Sequence, residues 1–137
     1  YRRHLVANQT LTQALVPGMR QARYGRIVNV ISTSVYEPIP NLGVSNTTRG
    51  AVASWAKTLS RELAADGITV NNVPPGFVDT PMLRESPVDI ENYAQGMPMK
   101  RPGRPEDIAA AVAWLASEDG GYVTGQTISV NGGRFLT

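Results

Sequence analysis

The chain has 137 residues, 42% of them apolar and 18% charged, with thirteen basic and eleven acidic side chains and a net charge of +2. This is the composition of one soluble globular domain or part of one, and basic residues scattered apart from Arg2-Arg3 and Lys100-Arg101 exclude a nucleic-acid-binding stripe. The absence of cysteine excludes disulfides and thiolate chemistry, a single histidine excludes most histidine-based metal sites, and no apolar run reaches the length of a membrane span. A cytoplasmic protein is expected.

Residues 1–22 predict an amphipathic helix, with Leu11, Leu15 and Met19 on one stripe, Leu5 and Val16 beside it, and His4 exposed in the first turn. Gly25 breaks that helix, and Arg26–Ser32 (RIVNVIS) reads as a buried parallel strand. The loop that follows carries Pro38, Pro40 and Gly43 as punctuation. A second long helix is expected over residues 45–65. Ser45 is its N-cap, Val52, Trp55, Ala56, Leu59 and Leu63 form its apolar stripe, and Asp66-Gly67 is its stop. Ile68–Val73 is the next strand, ended by Pro74-Pro75-Gly76 because proline cannot donate to a ladder. Residues 82–99 have no clear period and read as a mobile segment with a short helix. Pro105 opens a further helix through about Ser117, with Glu106 and Asp107 at its positive end and Ile108, Val112 and Leu115 on its buried face. Gln126–Val130 is the last strand, followed by Asn131-Gly132-Gly133.

The order α-β-α-β-α-β predicts an α/β fold with a parallel sheet covered by helices. Three strands alone leave a sheet edge and apolar helix faces uncovered. No G-x-G-x-x-G turn for a pyrophosphate occurs. The expectation is the C-terminal part of a single Rossmann-type doubly wound domain, with the N-terminal half that carries the dinucleotide motif absent. By itself such a piece should be inactive.

Taken in chain order, LVANQTLTQALVPGM, GRIVNVIS, VNNVPPGFVDTPM and the tail from Arg101 to Gly133 resemble the short-chain dehydrogenase/reductase family. The look is nearest to its 3-oxoacyl-carrier-protein reductase branch. The resemblance implies hydride transfer between NAD or NADP and a small carbonyl or alcohol substrate. It implies a homodimer or homotetramer formed through the helices 1–22 and 45–65, with neither nucleic acid nor membrane as partner. It makes Ser32 the hydroxyl that bonds the substrate oxygen and Asn8 the holder of a water that relays protons. Pro75, Gly76, Val78 and Thr80 form the loop over the nicotinamide, with the Val78 backbone on its carboxamide and Thr80 on the carboxamide or a nearby phosphate. Residues 82–99 are implied to shape the substrate pocket.

Two positions depart from the family. Its general acid/base tyrosine is Ser45 here, and the lysine four residues on is Arg49. An aliphatic hydroxyl is shorter than a phenol and a far weaker acid, the phenol having a pKa of about 10. Arginine keeps the charge, and could still hold the nicotinamide ribose, but in practice never gives up a proton. Tyr36, in the loop after Ser32, and Tyr93, in the substrate segment, are candidate replacement donors, weighed against simple loop packing. Two readings stay open. One is an oxidoreductase with an altered proton donor. The other is a non-catalytic homologue that binds a dinucleotide or acts as an oligomerising scaffold.

Overall fold

The structure, a computed structural model, describes residues 1–136. A π-helical turn at Arg2–Val6 leads into helix α1, Ala7–Ala22, and Pro17 sits inside α1 without ending it. The helix stops at Arg23, which adopts a left-handed conformation (φ 52°), and strand β1 follows at Gly25–Val30. Helix α2 spans Gly43–Leu63 and strand β2 Ile68–Val73. Two short helices, α3 at Pro81–Arg84 and α4 at Ile90–Gln95, fill the segment read from sequence as aperiodic. Helix α5 spans Pro105–Ala116 and begins as expected, with proline in its first turn. There the Arg104 N–H donates to Asp107 (2.8 Å) and Arg101 pairs with the same carboxylate (2.7 Å). The Arg101 hydrogen bond, followed by the Arg104 N–H, holds the Asp107 carboxyl well below the usual carboxylate range. Among the described residues no helix is long and apolar enough to cross a membrane.

The α/β class with a parallel sheet holds. Strands β1 and β2 pair in parallel from Gly25 opposite Ile68 to Val30 opposite Val73. Every residue of β2 is buried, so this strand is central, while β1 pairs only with β2. Val16, Ala56, Leu63, Ile68 and Val70 form the core between α1, α2 and the sheet, with Met19, Ile27, Trp55 and Leu59 packed onto it. Burying such side chains stabilises by roughly 1.5–3 kcal/mol each. Leu11 and Leu15 lie on the same side of α1 but remain 60% and 55% exposed, above a narrow groove against β1.

The third strand takes a different form from the one expected. Residues 126–130 do run parallel beside β2, but only as isolated bridges, Asn72 with Thr127 and Pro75 with Val130. The Asn72 N–H donates to Gln126 O (2.8 Å) and the Ile128 N–H to Asn72 O (2.9 Å). The next rung of a parallel ladder would come from residue 74, and Pro74 has no N–H. Side chains supply the missing cohesion. Asn8 donates to Asn29 (3.4 Å), Asn29 to Asn72 (3.1 Å) and Asn72 to Thr127 (3.2 Å), a chain of amides from α1 across both strands to the third segment. Asn71 adds two more bonds, donating to Val123 O (2.7 Å) and accepting from the Gln126 N–H (3.0 Å).

Gly67 closes the turn from α2 into β2 in the left-handed region (φ 75°), where an added Cβ would run into the Arg23 carbonyl. Gly67→Ala should therefore lower stability by at least ~1–2 kcal/mol. Urea unfolding measures it, and an unchanged midpoint would show that the turn relaxes freely.

Candidate functional site

Ser32 stands just beyond β1, where two loops are strapped together. The Ile31 N–H donates to Val73 O (2.9 Å) and the Thr33 N–H to Pro75 O (3.3 Å). The exit of β1 is thereby tied to the exit of β2, at the carboxyl end of a parallel sheet, where α/β folds place their ligands. Ser32 Oγ accepts from the Ser34 N–H (3.1 Å) and caps a short 3₁₀ turn at Thr33–Val35. Its own proton remains free to donate. The side chain is half-buried and lines a cavity of about 260 Å3 with Gly76, Phe77, Tyr93, Arg134 and Phe135, and with Glu37 at its edge.

Ser45 is not the N-cap expected of it. Helix α2 begins at Gly43, with Leu42 before it, so Ser45 lies inside the first turn, and no side chain caps the helix. Starting the helix two residues earlier turns the Ser45 hydroxyl to a different partner. Arg49 Nε donates to Ser45 Oγ (3.2 Å) while Arg49 Nη1 donates to the Ile31 carbonyl (3.0 Å). One guanidinium thus joins Ser45 to the residue preceding Ser32. Residues at i and i+4 meet because one helical turn separates them. With its oxygen accepting from Arg49, the Ser45 hydroxyl keeps its own proton for a hydrogen bond to another acceptor.

Asn8 goes elsewhere. It lines the groove between α1 and β1 with Leu11, Leu15 and Met19, and its Nδ2 donates to Asn29 Oδ1 at 3.4 Å. It lines neither the Ser32 cavity nor the one beside Ser45. A buried amide on the sheet is a better partner than water for a helix asparagine that reaches it. In its stead the structure brings in a residue that sequence reasoning passed over. His4 is exposed, as expected, but with Tyr1, Asn41, Leu42 and Thr48 it shares an open cavity of about 600 Å3 with Ser45. Its position one turn before Asn8 was the available signal. The π-helical turn that swings it there has no sequence pattern, although such turns recur at functional sites.

The loop after β2 is held at alternate residues. The Gly76 N–H donates to Val130 O (2.9 Å), the Asp79 N–H to Gly103 O (2.9 Å), and the Gly103 N–H to Phe77 O (2.8 Å). Between these ties, the main-chain N–H and C=O of Val78 have no partner among the described residues. Gly76 is a glycine for a reason internal to the fold, since an added Cβ would lie 2.7 Å from Asn131 Cα. Thr80 Oγ1 accepts from the Leu83 N–H (3.3 Å) and caps α3. Asp79 grips Arg84 through two bonds (2.7 and 2.8 Å), which hold its carboxyl below the ordinary value. The two candidate phenols are separated by the fold. Tyr36 is exposed and lines no part of the Ser32 cavity. Tyr93, on α4, lines it, with its ring stacked 4.2 Å from Phe77 and the Arg134 guanidinium 4.7 Å above the ring centre.

The family described as enoyl-(acyl carrier protein) reductase matches residues 4–134, nearly the whole chain. This chain belongs to the short-chain dehydrogenase/reductase family. The 3-oxoacyl-[acyl-carrier-protein] reductase FabG of Pseudomonas aeruginosa is 40% identical over 130 residues, covering 93% of this chain and 52% of that protein. Among solved structures, YwfH, described as an NADPH-dependent reductase involved in bacilysin biosynthesis, superposes with a TM-score of 0.88 at 34% identity, over 96% of this chain and 55% of the other. ElxO with NADP bound matches with the same TM-score, 0.88, at 26% identity, over 96% of this chain and 54% of that one. The chain spans about half the length of the curated relatives it matches.

Proposed function

We propose that this chain forms the substrate-binding and nicotinamide-binding side of an NAD(P)-dependent oxidoreductase acting on a small carbonyl or alcohol compound. The observation that carries this reading is the free main chain of Val78, one residue beyond Phe77 in the Ser32 cavity. A carboxamide needs one donor for its oxygen and one acceptor for its nitrogen, and an unpaired peptide N–H and C=O in an otherwise tied loop provide both. The similarity to YwfH, an NADPH-dependent reductase, and to ElxO with NADP bound supports the same class of cofactor. When bound, the nicotinamide supplies or accepts the hydride.

The chain's own residues would do the rest. Ser32 donates its free proton as a hydrogen bond to the substrate oxygen and stabilises the negative charge that develops there. Arg49 keeps Ser45 oriented as a donor and carries a fixed positive charge on that face of α2, where it would hold the ribose of a bound cofactor. Neither Ser45 nor Arg49 is suited to deliver a proton at neutral pH.

Titrating the complete natural protein with NADH and NADPH, with Trp55 and Trp114 fluorescence as the signal, should give saturable binding. Adding short ketones or 3-oxoacyl thioesters should then consume the reduced cofactor. Binding without consumption across that panel would overturn the catalytic reading in favour of a dinucleotide-binding homologue, and absence of binding would overturn both.

A further inference from the structure

With Ser45 in place of the phenol, the reaction proposed above lacks a proton donor, and the position of the chain's five tyrosines decides which can serve. Tyr24 donates its hydroxyl to the Ala116 carbonyl (3.0 Å) and is committed to packing α5. Tyr122 is fully exposed, Tyr36 lies outside the Ser32 cavity, and Tyr1 lines the separate cavity beside Ser45 and His4. Tyr93 alone lines the cavity that holds Ser32, and its hydroxyl has no hydrogen-bond partner among the described residues. Its ring packs against the Phe77 ring, tilted by 32° with centroids 4.2 Å apart, and carries the Arg134 guanidinium 4.7 Å from its centre. Phe77 belongs to the same loop as Val78, so the ring is referenced to the position where the reaction would occur.

We propose that Tyr93, delivered by α4 instead of α2, is the general acid/base of this protein. The proposal rests on the oxidoreductase reading. In the reducing direction the carbonyl carbon gains a hydride from the reduced nicotinamide, which is left oxidised. The electron pair of the C=O π bond moves to oxygen, and that oxygen takes the Tyr93 proton as the phenolic O–H bond breaks. The phenolate is balanced by the Arg134 cation over its ring. It regains a proton from water, which reaches a side chain that is 37% exposed. Ser32, which lines the same cavity as Tyr93, hydrogen-bonds the same oxygen throughout.

Tyr93→Phe in the complete natural protein keeps the ring, its stack on Phe77 and the cation above it, and removes only the hydroxyl. A general acid contributes on the order of 100- to 10,000-fold, so kcat should fall at least ~100-fold. The NADPH dissociation constant should stay within about twofold, and Tyr36→Phe should retain wild-type turnover as the control. A second readout needs no turnover. A saturating carbonyl substrate should protect Tyr93, and not Tyr36, from nitration by tetranitromethane, as read by mass spectrometry. Turnover of Tyr93→Phe within twofold of wild type, or nitration of Tyr93 unaffected by substrate, would overturn the proposal while leaving the oxidoreductase reading intact. A wild-type protein that binds NADPH yet reduces no carbonyl would overturn both.

Discussion

Ser32→Ala should lower kcat by about 100- to 1,000-fold, the range seen when one oxyanion-type donor is removed. The reasoning is geometric. The acceptor side of the Ser32 hydroxyl is occupied by the Ser34 N–H at 3.1 Å, which leaves the proton free toward the cavity. Alanine removes that donor and also the cap of the 3₁₀ turn, and loss of such a cap costs about 1 kcal/mol. The two roles separate in measurement. If Ser32 only caps the turn, Ser32→Ala shifts thermal unfolding slightly and leaves steady-state turnover near wild type. If it also bonds the substrate oxygen, turnover collapses while NADPH still binds. Ser32→Thr, which keeps the hydroxyl, should recover a substantial part of the loss.

Asn72→Ala is expected to be the most destabilising single change among the polar positions, by about 3–5 kcal/mol in urea unfolding. Asn72 is 1% exposed and stands in the middle of the amide chain. It accepts from Asn29 at 3.1 Å and donates to Thr127 at 3.2 Å. Truncation leaves the buried Asn29 amide and the half-buried Thr127 hydroxyl without their partner and opens a void at the centre of the sheet. The third strand should loosen first, because Pro74 leaves a gap in its main-chain ladder and side chains bridge it. Asn8→Ala, at the half-buried end of the same chain, should cost much less and leave turnover within about twofold. A large loss of activity in Asn8→Ala without loss of stability would restore the proton-relay role that its family resemblance implies.

The order of the elements up to α5, the bounds of β2 and the parallel α/β class are legible in the sequence because each rests on a local signal, whereas β1 runs Gly25–Val30 and not Arg26–Ser32, stopping before Ile31 and Ser32. Alternating or helical apolar periods, a glycine after a helix and a proline in a first turn act within a few residues. The site was only partly legible. The contact of Ser45 with Arg49 followed from spacing, since one helical turn has nearly fixed geometry, while Ser32 lines a different cavity from Ser45. The roles of single polar side chains did not. Ser45 was read as a cap because serine favours that place, yet the helix starts two residues earlier and Arg49 takes the hydroxyl. Resemblance makes Asn8 a relay, and the structure adds that its Nδ2 also reaches the amide of Asn29 across the sheet, a partner no local pattern names.

What the sequence by itself determined about this protein is its family and its layered architecture, both carried by residue identities in order along the chain. What only the tertiary structure decided is which distant groups meet: Tyr93 and not Tyr36 beside Ser32, His4 beside Ser45, and a third strand held by asparagines. The physical reason is that a hydrogen-bond partner or cavity neighbour is chosen by three-dimensional proximity across tens of residues. A side chain's chemistry states what it can bond, and packing alone states what it reaches.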